Sequence, residues 1–129
     1  MKSETVQKWL DRVEYDLDTA KALLQTRRYI YVVFMCQQCI EKCLKALLEY
    51  QGKGILPIHN LRRLGELADM IEELDEPTLA KFDFLSQYYI SARYKEDVAQ
   101  LSRGMNETVA RDFVQFTEEV VQWLSQKMK

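Results

Sequence analysis

Residues 37 to 48, QQCIEKCLKALL, repeat with a helical period, and this stretch constrains the fold more than any other. At about 100° per residue it separates into two faces. Cys36, Cys39, Ile40, Cys43, Leu44 and Leu47 form an apolar arc. Gln38, Glu41, Lys42 and Lys45 gather on the opposite side, inside an arc of roughly 100°. Glu41 and Lys45 are a favourable i,i+4 pair, as expected on a solvated face. The segment that overlaps its start, YIYVVFMCQQC, is apolar all round. A helix without a polar face needs burial on every side, so this one is expected to be central or to lie at a subunit interface.

The other periodic segments are also helical, and none shows sustained strand alternation. Helix one is expected from about Glu4 to Thr26, with Ser3 as N-cap and Val6, Leu10, Val13, Leu17, Ala20 and Leu24 as its buried line, extended by Trp9. A break at Arg27-Arg28 leads into helix two, from about Tyr29 to Tyr50, which Gly52 and Gly54 stop. Lys53 to His59 read as a loop stiffened by Pro57, and Asn60 then caps helix three through about Glu73. Asp75 and Pro77 start helix four, which reaches about Tyr94. The polar stretch from Lys95 to Met105 reads as a loop. Asn106 caps a last helix with a narrow seam of Val109, Phe113, Phe116, Val120 and Trp123. The expected fold is an all-α, antiparallel up-and-down bundle of about five helices, with residues 1–129 as a single domain.

A net charge of −2 gives no global attraction to nucleic acid or to an anionic membrane, so any contact with RNA or a nucleotide must be built locally from a few placed cations. No run approaches the ~18 apolar residues of a membrane-spanning helix, and the charged start MKSETVQKWLDRVEYD has no signal core. The three cysteines all lie in helix two, which argues for a reducing, cytoplasmic compartment. Cys36, Cys39 and Cys43 stand in a row on one helix face, whereas structural zinc wants four ligands around the ion. No metal or other cofactor is expected.

Two residues stand out chemically. Arg93 shares a face of helix four with Phe82, Ser86 and Tyr89. A guanidinium at the end of an apolar stripe either snorkels or pairs with a carboxylate such as Asp97, or it holds phosphate at the mouth of a groove, with Tyr89 and Tyr94 stacking on a base. His59, the only histidine, reads either as a loop histidine bonded to backbone or as a general acid/base. Phe84 and Tyr88 point away from the Arg93 face, toward another helix or subunit.

Taken together, these residues resemble the HEPN family of small helical nucleotide-binding domains. QQCIEKCLKALL is similar to the family's Gln-Gln-Ala-hydrophobic-Glu-Lys-Ala-hydrophobic-Lys-Ala signature. Trp9, Asp16-Leu17 and Ala20 match its opening helix; Pro57, His59, Asn60 and Leu61 match its Pro-x-His-Asn-Leu loop; Ala92-Arg93-Tyr94 matches its Ala-Arg-Tyr. The resemblance covers essentially the whole chain. It implies a helical bundle that is usually homodimeric and often partnered with a minimal nucleotidyltransferase in a toxin–antitoxin-like pair.

One departure bears on catalysis. RNase-active members carry Arg, four to six residues, then His, but Arg93 is followed by YKEDVAQLSRGM, which has no histidine. RNA cleavage needs a group to handle the 2′-hydroxyl proton, and an arginine is poor at this near neutral pH. The expectation is therefore a nucleotide- or RNA-binding protein without the usual RNase dyad. In it Arg93 and Lys42 or Lys45 meet phosphate, Tyr89 or Tyr94 stacks on a base, and Gln38 and Glu41 orient the cations or read the base edge. Two alternatives stand beside it: an RNase toxin pairing Arg93 with His59 or Asp97, and a purely structural dimeric adaptor whose interface is the apolar start of helix two.

Overall fold

The computed structural model describes residues 3–54, 56–91, 100 and 102–129. Among them are delimited α1 (Glu4–Gln25), α2 (Tyr29–Tyr50), α3 (Leu61–Leu67), a 3-10 turn at Ile71–Glu73, α4 (Glu76–Ser91) and α5 (Glu107–Gln126). No strand occurs among the described residues. The helices start where the capping residues predict. Ser3 Oγ accepts from the Val6 N–H at 3.2 Å, Asn60 Oδ1 from Arg63 at 2.9 Å, and Asn106 Oδ1 from Val109 at 3.0 Å. Asp75 accepts from the Thr78 N–H at 2.9 Å at the head of α4, and its bonds with Thr78 hold its carboxyl below the usual range.

α2 is the central element and packs against α1, α3, α4 and α5. Ile30, Val32, Val33 and Cys36 in its apolar front half are buried, while Tyr31 remains 51% exposed. Leu44, Leu47 and Leu48 are sealed inside, each contributing about 1.5–3 kcal/mol by burial. Phe82 and Phe84 of α4 meet Phe116 and Phe113 of α5, respectively. As residue number rises in one helix it falls in the other, so the pair is antiparallel. Phe84 stacks on Phe113 at 5.2 Å, so the aromatic side of α4 turned away from α2 is met by another helix of the same chain.

Two boundaries differ from expectation. α3 ends at Leu67 rather than near Glu73. Asp69 adopts φ 59°, and the Met70 N–H bonds to Gly65 O at 2.9 Å, closing a Schellman motif with aspartate in the place glycine usually takes. The end of α2 reinforces the stop: Gln51 Nε2 donates to Ala68 O at 3.0 Å and Lys53 Nζ to Leu67 O at 2.8 Å. Residues 102–104, expected as loop, are helical, and Met105 N bonds to Ser102 O at 3.4 Å just before the Asn106 cap.

Candidate functional site

The polar arc of α2 is not a solvated face. Gln37, Glu41 and Lys45, spaced by four, form one line along the helix and are 0%, 5% and 6% exposed. α2 packs there against α3 and α4 as well as α1, so a wheel drawn on α2 alone could not reveal the burial. Lys45 Nζ donates to Glu41 Oε2 at 2.9 Å, and Gln37 Nε2 donates to Glu41 Oε1 at 3.0 Å. Half-buried Gln38 donates to Gln37 Oε1 at 2.8 Å. Burying such groups is costly unless every member is satisfied, and here Glu41 uses both oxygens.

The second partner of Glu41 Oε2 is His59, whose Nδ1 lies 2.9 Å away. The ring is thus held by a carboxylate rather than by the backbone group expected of a loop histidine, and it is the His59 backbone O that accepts from Gln37 Nε2 at 3.0 Å. The loop carrying His59 is tied to α4 as well, because the Leu61 N–H donates to Ser86 Oγ at 2.9 Å and Ser86 Oγ donates to Phe82 O at 2.8 Å. Above this lock the His59 ring stacks on Tyr89, with centroids 4.9 Å apart and planes 22° apart. Tyr89 in turn stacks on Phe34 at 5.6 Å and 8°. Three rings from α4, α2 and the α2–α3 loop thus form one stack. Tyr89 is buried within it, whereas 49% of the His59 side chain remains exposed.

A carboxylate on Nδ1 selects the tautomer that donates from Nδ1 and leaves Nε2 as an acceptor. It also fixes the ring's orientation, as the orienting acid does in nucleophilic triads. The half-exposed His59 ring at the end of the stack is a flat aromatic group of the kind on which bases stack.

Lys42 leaves this line and turns to α1, where Nζ lies 2.5 Å from Asp16 Oδ2. Asp16 is 6% exposed. The four polar residues of the arc are therefore divided between two networks, a buried one around Glu41 and a partly buried one at Asp16. Gln37 and Asp16 were not singled out as site residues, although both left a signal. Gln37 stands four residues before Glu41, and Asp16 stands three after Val13 on the buried line of α1. Arg93, Tyr94 and Asp97 lie outside the described residues.

Cys36, Cys39 and Cys43 are free and buried. Burial pushes the Cys36 and Cys43 thiols up to about 12 and the Cys39 thiol upward as well, so they remain protonated core groups at neutral pH. Cys39 Sγ donates to Val13 O at 3.3 Å. No helix among the described residues is long and apolar enough to cross a membrane.

Comparison with known proteins agrees with the helical fold. The HEPN domain family model matches residues 6–128. A protein of Methanocaldococcus jannaschii named as a candidate toxin, MJ1304, is 30% identical over 96 residues, which is 68% of this chain and 62% of that protein. The chain thus spans less than two thirds of that relative's length. Among solved structures, TT1696 from Thermus thermophilus superposes with a TM-score of 0.79 at 22% identity, covering 97% of this chain and 99% of that one. ST0689, described as an archaeal HEPN homologue, gives 0.74 at 25% identity, covering 96% and 98%.

Proposed function

The chain belongs to the HEPN family, and from that premise we propose that it binds a nucleotide or RNA phosphate where α2, the His59 loop and α4 meet. The observation that carries this reading is the Phe34–Tyr89–His59 stack, whose half-exposed end ring is oriented by Glu41. Arg93, four residues beyond Tyr89, supplies the phosphate-binding guanidinium. His59 and Tyr94 complete the contacts, with Tyr89 backing the stack. Lys42 and Lys45 are neutralised by Asp16 and Glu41, so with Gln37, Gln38 and Glu41 they hold the framework rather than lead at the phosphate. The protein works as a homodimeric, single-domain half of a toxin–antitoxin-like pair with a minimal nucleotidyltransferase; the kinship with a protein named as a candidate toxin supports the pairing.

Calorimetry with mononucleotides and short RNA on wild type, Arg93→Ala and His59→Ala tests the site. Binding weakened at least tenfold in both variants is expected, and equal heats in all three remove the idea. Co-purification with a nucleotidyltransferase encoded beside this chain tests the partnership, and light scattering at micromolar concentration tests the dimer.

The Glu41–His59 contact favours a second reading, an RNase in which His59 takes the proton-handling role beside Arg93. It predicts growth arrest on expression without the partner, lost in His59→Ala as in Arg93→Ala. Harmless expression of the wild type sinks it.

A further inference from the structure

A second cationic feature lies at the α1–α2 turn. A cavity of about 290 Å³ there is lined by Arg27, Arg28, Tyr29, Tyr31, Ser102 and Met105. Arg27 holds φ 62° because α1 ends in a Schellman motif, with the Arg28 N–H bonded to Leu23 O at 3.1 Å, and this fixes both arginines beside the cavity. Both side chains are exposed, and neither guanidinium has a carboxylate partner among the described residues. Tyr29 Oη donates to Glu107 Oε1 at 3.4 Å, and the Glu107 carboxylate also pairs with Arg111 at 3.1 Å. A concave site with two exposed guanidiniums, unpaired among the described residues, and two flanking phenol rings suits a phosphate carrying an adjacent base. On a chain with a net charge of −2, two adjacent exposed arginines at one cavity are a local concentration of positive charge.

The cavity also lines up with the site already described. On α2, Tyr31, Phe34 and Gln38 fall within about 60° of one another at 100° per residue, and Tyr31 stands about 10 Å along the axis from Gln38. Phe34 is the inner ring of the His59–Tyr89 stack. One stripe of α2, exposed at Tyr31 and half-buried at Phe34 and Gln38, therefore runs from the arginine cavity to the stack.

We propose that this cavity holds a backbone phosphate of an RNA strand whose neighbouring nucleotides follow α2 to the His59 stack. This rests on the nucleotide-binding reading above and adds to it a preference for a strand over a mononucleotide. Anchoring at two points separates the two ligands, because a mononucleotide fills the stack alone while an oligonucleotide spans both points.

The test uses the full chain with Arg27→Gln and Arg28→Gln together, and Lys8→Gln with Arg12→Gln as a control of equal charge change on another surface. Anisotropy of a labelled short single-stranded RNA is measured against salt, and mononucleotide binding by calorimetry. The Arg27/Arg28 variant should bind the oligonucleotide about tenfold more weakly, with a salt slope shallower by about 0.7–1.4, as one or two lost phosphate contacts on a single strand require. Its mononucleotide affinity should match wild type, and the control should move the slope much less. Titration of inorganic phosphate into isotope-labelled protein should shift the Tyr29, Ile30 and Tyr31 amides in wild type and not in the Arg27/Arg28 variant. Unchanged oligonucleotide affinity and slope in that variant overturn the inference while leaving the nucleotide site standing. Wild type that binds neither RNA nor mononucleotide overturns both.

Discussion

Glu41 accepts from three donors in a nearly dry setting, so its replacement by glutamine isolates the worth of its charge. A glutamine at 41 keeps the shape and can still accept from His59 Nδ1, but it leaves the Lys45 ammonium with no counter-charge. The Glu41 and Lys45 side chains are each 7% exposed, so surface screening does not soften the change. Breaking a buried pair by removing one partner costs about 3–5 kcal/mol. For a two-state chain of 129 residues the unfolding entropy is about 0.27 kcal/mol/K, so each ~1 kcal/mol lowers the midpoint by about 4 °C. Glu41→Gln should therefore unfold about 11–18 °C earlier than wild type in a calorimetric or circular-dichroism melt. Adding Lys45→Met removes the orphaned charge and should restore stability to within about 1 kcal/mol of wild type. A loss below ~1 kcal/mol in the single variant, or a double variant as unstable as the single, would refute the account of this line as a buried, charge-compensated network.

Tyr89→Leu removes two ring stacks and should cost about 1–3 kcal/mol in urea denaturation while weakening nucleotide binding; undiminished stability and binding would contradict the stack's role. Asn106→Ala removes the α5 cap bond and should cost about 1 kcal/mol, and a neutral result in urea would mean solvent caps that helix equally well. Cys36 and Cys43 are held protonated in the fold, with values raised from 9.0 to about 12. Their stabilising contribution is complete below about pH 9, the unfolded value, and declines as pH rises from there toward about 12, which alkaline melts should register. The same burial predicts that Ellman's reagent at pH 8 reacts with the three thiols only at the rate of unfolding; a fast native-state reaction would show that the row is accessible.

Most helix starts were legible because capping is local: Ser3, Asn60 and Asn106 each accept from an N–H three residues ahead, and that geometry needs nothing from the rest of the chain. The span of α2 and the burial of its cysteine row followed from periodicity for the same reason. The end of α3 was not legible, because aspartate rather than glycine takes the left-handed position and the closing donors, Gln51 and Lys53, come from the turn that follows α2. The His59 loop was visible as a motif, but not the carboxylate that its ring would meet. The polar arc of α2 marks the difference most clearly. A helical wheel gives the direction of Glu41, Lys42 and Lys45 but not what stands opposite them. By itself the sequence determined the bundle, its helix starts and its family resemblance, all of which rest on short-range spacing. Only the tertiary packing decided that this arc is largely buried, that Lys42 belongs to Asp16, and that Glu41, paired with Lys45 by local spacing, also holds His59, because burial and these contacts depend on segments far apart in the chain.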